Sequence, residues 1–89
     1  MTNDEFLKLG KKLVVDCNNS TPHQKNITED DVFIVWSCKT LQNNKALLGT
    51  HANNFYFEVT HNGDKEETYL DVYKKTANYV VKDEEVREF

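Results

Sequence analysis

The chain reads as an α+β domain in which one amino-terminal helix packs on a mostly antiparallel sheet of about four strands. Three observations lead there. Phe55 to Tyr73 holds two aromatic-rich alternating runs on either side of Asn62-Gly63, which is a hairpin signature. Residues 6 to 17 repeat apolar side chains at helical spacing behind a capping sequence. Val32 to Cys38, VFIVWSC, is dense in β-branched and aromatic residues.

The helix begins at Thr2. Thr2-x-x-Glu5 has the form of a capping box, in which hydroxyl and carboxylate each answer an orphan amide. Phe6, Leu9, Leu13, Val14 and Cys17 form the apolar stripe, and Lys8, Lys11 and Lys12 a solvated side. Gly10 interrupts the middle, which points to close packing there. Asn18-Asn19 supplies a left-handed stop. Ser20 to Asp31 is polar, carries the only proline and reads as a long loop, with Ile27 available to pin it to the core.

In Val32 to Cys38 both alternating sets are apolar, so the strand is either covered on both faces or offers one face to a partner chain. Asn43-Asn44 reads as the following turn, Ala46 to Thr50 as a short second strand, and His51 to Asn54 as the next turn. For the hairpin, a two-residue loop would set Glu58 opposite Glu67 and Val59 opposite Glu66. A four-residue loop from Asn62 to Lys65 pairs Phe55 with Val72, Phe57 with Leu70 and Val59 with Thr68, gathering the apolar side chains on one face. Tyr56, Glu58, Tyr69, Asp71 and Tyr73 then share the opposite face. Thr76 to Val81 fits a last strand or a short helix, with β-branched content favouring strand. Residues 1–82 are read as a single α+β domain and 83–89 as an acidic, frayed tail. The expected core is Phe6, Leu9, Leu13, Val14, Ile34, Trp36, Leu48, Phe55, Phe57, Val59, Leu70 and Val72.

Composition narrows the function classes. Eighty-nine residues make one domain with a small core, so an oligomer contact is a natural helper. A net charge of −4 argues against broad phosphate-backbone binding. No apolar run is long enough to span a membrane, and no secretory h-region follows Met1, so no secretory signal is expected. Cys17 and Cys38 fall at apolar positions and read as reduced, buried small hydrophobes, though a bridge between them stays open. His23, His51 and His61 form no catalytic or zinc spacing with them, and His51 and His61 read as exposed turn residues. The three glycines make no phosphate cradle. These absences argue against an enzyme, a cofactor or a metal. A binding surface is better supported. Tyr56, Tyr69 and Tyr73, with Glu58 and Asp71 between them, make an aromatic and acidic patch suited to a protein partner. A symmetric homodimer is expected through a sheet edge or the second apolar face of Val32 to Cys38. The alternative is a small nucleic-acid-binding domain, since helix, three strands and a possible last helix follow the order of double-stranded-RNA-binding domains. Lys74, Lys75 and Lys82 would then touch phosphates.

The stretches VWSCKTLQNNKALLGT and VTHNGDKEETYLDVYKK resemble a family of small uncharacterised proteins from phages and prophages of Gram-positive bacteria of the lactobacillus, staphylococcus and streptococcus group. The resemblance runs from about Val32 to Lys75, with a looser match in the helix. It carries no catalytic residue. It implies a protein made in the cytoplasm of a bacterial host, acting by binding a host, phage or defence protein.

Overall fold

The computed structural model describes residues 1–86. Helix α1 (Asn3–Ser20) is followed by a 3-10 turn (Glu29–Asp31). Strands β1 (Val32–Thr40), β2 (Asn43–Thr50), β3 (Phe55–Asn62) and β4 (Glu67–Lys74) come next, then a single helical turn α2 (Asp83–Val86). The four strands form one antiparallel sheet in sequence order. The α+β class and the number of strands are as the sequence indicates.

The helix starts where the capping box places it. Glu5 N donates to Thr2 Oγ1 and Thr2 N donates to the Glu5 carboxylate, both at 3.1 Å. Its end differs from expectation. Asn18-Asn19 does not stop the helix; both residues stay helical and turn their amides outward from the axis to the loop. Asn18 Nδ2 donates to the Lys25 carbonyl at 2.9 Å, and Asn19 exchanges two bonds with the backbone of Ile27. Asn53 Nδ2 reaches Asn18 Oδ1 at 2.8 Å and Gln24 Oε1 at 3.1 Å. Thr21 closes the helix through its hydroxyl on the Cys17 carbonyl. Ile27 is buried, as the pinning role requires.

One face of the sheet meets α1. Phe6 and Val14 pack there with Ala46, Leu48, Phe57 and Val59, all at most 1% exposed, and Ile27 and Val32 extend this core. Gly10 lies over Leu48 and Val59, so the helix comes close at that point. The helix covers β1, β2 and β3 and leaves β4 without comparable cover.

Three details of the sheet depart from the sequence reading. The first turn is Leu41–Gln42, with Leu41 left-handed at φ 55°, and Asn43-Asn44 already belongs to β2. The β3–β4 register is displaced by two residues: Phe57 pairs with Val72 and Val59 with Leu70, around a loop from Gly63 to Glu66. Asn62 Oδ1 accepts from Asp64 N and Lys65 N and stabilises this later loop, and Glu66 takes the left-handed position at φ 54°. Gly63 is required by proximity, since a Cβ there would collide with the Gln42 carbonyl. A displacement of two preserves which side chains share a face.

The third departure is a bulge in β1. Ile34 pairs with Leu48, but the next paired residue is Trp36, opposite Leu47, leaving Val35 extra. The cause is geometric. The two-residue turn at Leu41–Gln42 dictates the register at one end, while seating Val32 and Ile34 opposite Thr50 and Leu48 dictates a register one residue different at the other. Trp36 therefore points away from α1 and is 42% exposed, contrary to its expected place in the core. Val72, expected inside, is 48% exposed because α1 gives β4 little cover, and Ile34 lies at the margin. Thr76 to Val81 is neither strand nor helix; it leaves β4 as an exposed arm, tied at its root by Lys75 N on the Asn54 carbonyl. Of the tail assigned to 83–89, the first four residues form α2 and 87–89 lie outside the described residues.

Candidate functional site

The pleat sends alternate residues to opposite sides, and cross-strand partners share a side. With Ala46, Leu48, Phe57 and Val59 under the helix, the intervening residues must face away from it. The registers then assemble the outer face row by row. Tyr56 pairs with Tyr73 and Gly49 on either side, and Gly49 pairs in turn with Phe33. Glu58 pairs with Asp71 and Leu47, and Leu47 with Trp36. Thr60 pairs with Tyr69 and Lys45, and Lys45 with Cys38. All five residues singled out from the sequence, Tyr56, Glu58, Tyr69, Asp71 and Tyr73, therefore lie on this one face. Tyr56 and Glu58 are half-buried by their neighbours, whereas Tyr69, Asp71 and Tyr73 are exposed.

Three further residues, not expected from the sequence, make up the other half of the patch. Phe33, Trp36 and Leu47 extend the tyrosines across β2 to β1. The signal was present in the double apolar alternation of Val32 to Cys38, but strict alternation assigns Trp36 to the wrong side because it does not anticipate the bulge. The tip of the Phe33 ring lies over Gly49, where a Cβ would come within 2.6 Å of it, and the ring meets His51 in a tilted contact with centroids 4.7 Å apart. A glycine beneath an aromatic ring recovers apolar contact that the missing side chain cannot provide.

Charge on this face is mixed and mainly acidic. Lys45 Nζ stands 3.4 Å from Glu58. The pair is partly solvated and contributes about 1 kcal/mol or less. Glu58 directly opposes Asp71, so Lys45 also offsets a like-charge contact. Tyr69 donates its hydroxyl to Glu67, two residues back on the same side, and this bond raises the phenol pKa.

The histidines and cysteines do not converge. His51 is exposed in the β2–β3 turn and engaged with Phe33; His23 is exposed in the loop at φ 67°. His61 is a correction to the turn assignment: it is half-buried in β3 opposite Asn44, with Nδ1 sequestered and without a partner. Cys17 is partly buried in α1; Cys38 is exposed on the outer face, so its expected burial does not hold, and both are free thiols. Among the described residues no three His, Cys, Asp or Glu side chains gather as metal ligands. No helix among them is long and apolar enough to cross a membrane.

These features define a two-layer α+β domain with one covered and one open sheet face. The chain belongs to a family of unknown function, DUF6275, whose model matches residues 7–83. Neither curated proteins nor solved structures give a match.

Proposed function

We propose that this is a non-enzymatic protein-binding domain that engages a partner protein through the outer face of its sheet. The observation that carries the reading is the uncovered aromatic surface running from Phe33 and Trp36 through Tyr56 to Tyr69 and Tyr73. Contiguous exposed apolar patches are costly on a free monomer and mark interaction sites. Trp and Tyr are the residues that most often anchor protein interfaces, since they bring large area at low entropy cost. Glu58, Glu67 and Asp71 at the β4 side suit a partner with basic side chains around an apolar centre. The resemblance to phage and prophage proteins supports a setting in the cytoplasm of an infected or lysogenic bacterium, with a host, phage or defence protein as partner.

The nucleic-acid reading receives less support. Its element order calls for a full carboxy-terminal helix beside the sheet, whereas α2 is a single turn separated from β4 by the exposed arm. The open face also carries more acid than base.

Affinity capture from host lysate with the wild-type chain tests the proposal. A partner retained by the wild type and lost by Trp36→Ala and by the pair Tyr69→Ala and Tyr73→Ala is the expected result. Retention by both variants would overturn it. Nucleic acid captured with a steep salt dependence would favour the alternative.

A further inference from the structure

The open sheet ends in two edges that are treated differently. The β1 edge is kinked by the bulge at Val35, a device that resists addition of another strand. The β4 edge has none. Glu67 to Lys74 is a regular ladder of eight paired residues with no proline and no bulge, so its outward backbone groups form a template for pairing. Its helix-side flank is also only partly covered. Leu70 packs against the core without being fully buried, Val72 is 48% exposed, and α1 covers β4 far less than β1 to β3.

Next to this edge lies unspent apolar chain. Beyond Lys75 the arm leaves Tyr79, Val80 and Val81 at 84%, 80% and 57% exposed. It also spreads the molecule: the Cα radius of gyration is 15.6 Å, against about 12 Å for a compact domain of this length.

We propose that two copies of this chain join β4 to β4 in an antiparallel, two-fold pair. The four-stranded sheets then become one eight-stranded sheet, with each arm laid over the partly covered Leu70–Val72 flank of the other copy. The occupant is a second copy because β4 is complementary to itself in one register. A two-fold axis normal to the sheet keeps both outer faces on one side, so like-facing residues meet. Centred on Leu70, the ladder sets Tyr69 opposite Asp71, Tyr73 opposite Glu67 and Val72 opposite Thr68, and brings Lys74 abreast of Glu66. Every charged side chain meets an opposite charge or a hydroxyl. Centring on Asp71 would oppose two carboxylates, and centring on Tyr69 would set Asp71 against Glu67. Centring on Val72 would set Lys74 against Leu70 and leave Glu67 unmatched. Since α1 lies over β1 to β3, it stands clear of the new junction. The pairing is independent of the partner reading above, and it would place two aromatic faces side by side.

The test is directed cross-linking in a background of Cys17→Ala and Cys38→Ser. Chains carrying Thr68→Cys and chains carrying Val72→Cys are mixed and oxidised. A disulfide-linked pair that forms in the mixture and in neither chain alone is the expected result. Identical positions would sit about 13 Å apart along the ladder, beyond disulfide reach. Sedimentation of the unmodified chain should show a dimer, and ending the chain after Lys75 should raise its dissociation constant at least about tenfold. A chain that stays monomeric at high micromolar concentration overturns the proposal. So does a dimer that fails to cross-link in the mixture, or one that Trp36→Ala abolishes, since that places the junction on the outer face.

Discussion

The two faces of this sheet are built from the same strands and similar residue types, yet they have opposite fates. On the inner face Leu48, Phe57 and Val59 are sealed by α1, with Gly10 lying over Leu48 and Val59. On the outer face Phe33, Trp36, Leu47 and three tyrosines have nothing over them except one another. The difference is one of supply. The chain has one long helix, which can cover only one side, and the aromatic content of the other side exceeds what a solvated surface needs. That excess of exposed apolar surface is what supports the proposed binding role.

The largest expected effect breaks the inner face. Phe57→Ala should remove about 3–5 kcal/mol, a large part of the stability of a domain this small, and shift the urea midpoint strongly downward. Tyr73→Ala, its counterpart outside, should change stability by no more than about 0.5 kcal/mol. If the two variants cost similar amounts, the distinction between a folding face and a free face fails.

Two glycines sharpen the comparison. A methyl group at Gly49 would drive into the Phe33 ring at 2.6 Å, so Gly49→Ala should displace that ring. The expected loss is about 1–3 kcal/mol, with a chemical-shift change at His51. At Gly10 an added Cβ meets Leu48 and Val59 at 3.7 to 3.8 Å, which is ordinary contact. Gly10→Ala should therefore be neutral or stabilising by up to about 1 kcal/mol, as its helix propensity directs. A large loss there would show that α1 sits closer to the sheet than described.

The smallest effect concerns the helix start. Bonds from the Thr2 backbone and hydroxyl lower the Glu5 pKa in the folded state. A depressed folded pKa stabilises above the unfolded value, about 4.3. That contribution is lost as pH falls through the folded value. Thr2→Ala should flatten the corresponding part of the stability profile below about pH 4.5 and leave neutral pH dependence unchanged. An unchanged acid limb would mean that the capping box contributes nothing measurable.

Local chemistry made much of this architecture readable beforehand. The capping box located the start of α1 to the residue, and the alternation in β3 and β4 sorted phenylalanines from tyrosines correctly although the assumed pairing was displaced by two. What resisted reading was decided by distant contacts. Trp36 faces outward because a turn five residues later and the core contact of Val32 four residues earlier demand incompatible registers, and no local pattern announces that conflict. Asn18 and Asn19 look like a helix stop until the loop they hold is present to bond with them. Val72 looks internal until the reach of α1 is known.

The amide lattice of Asn18, Asn19 and Asn53 has a practical corollary. The stretch between α1 and the sheet is the longest connection in the domain, yet its Lys25 carbonyl and both backbone groups of Ile27 are held. Trypsin should therefore spare Lys25 and cut first after Lys75 or Lys82, trimming the protein to a resistant body that retains the helix and all four strands.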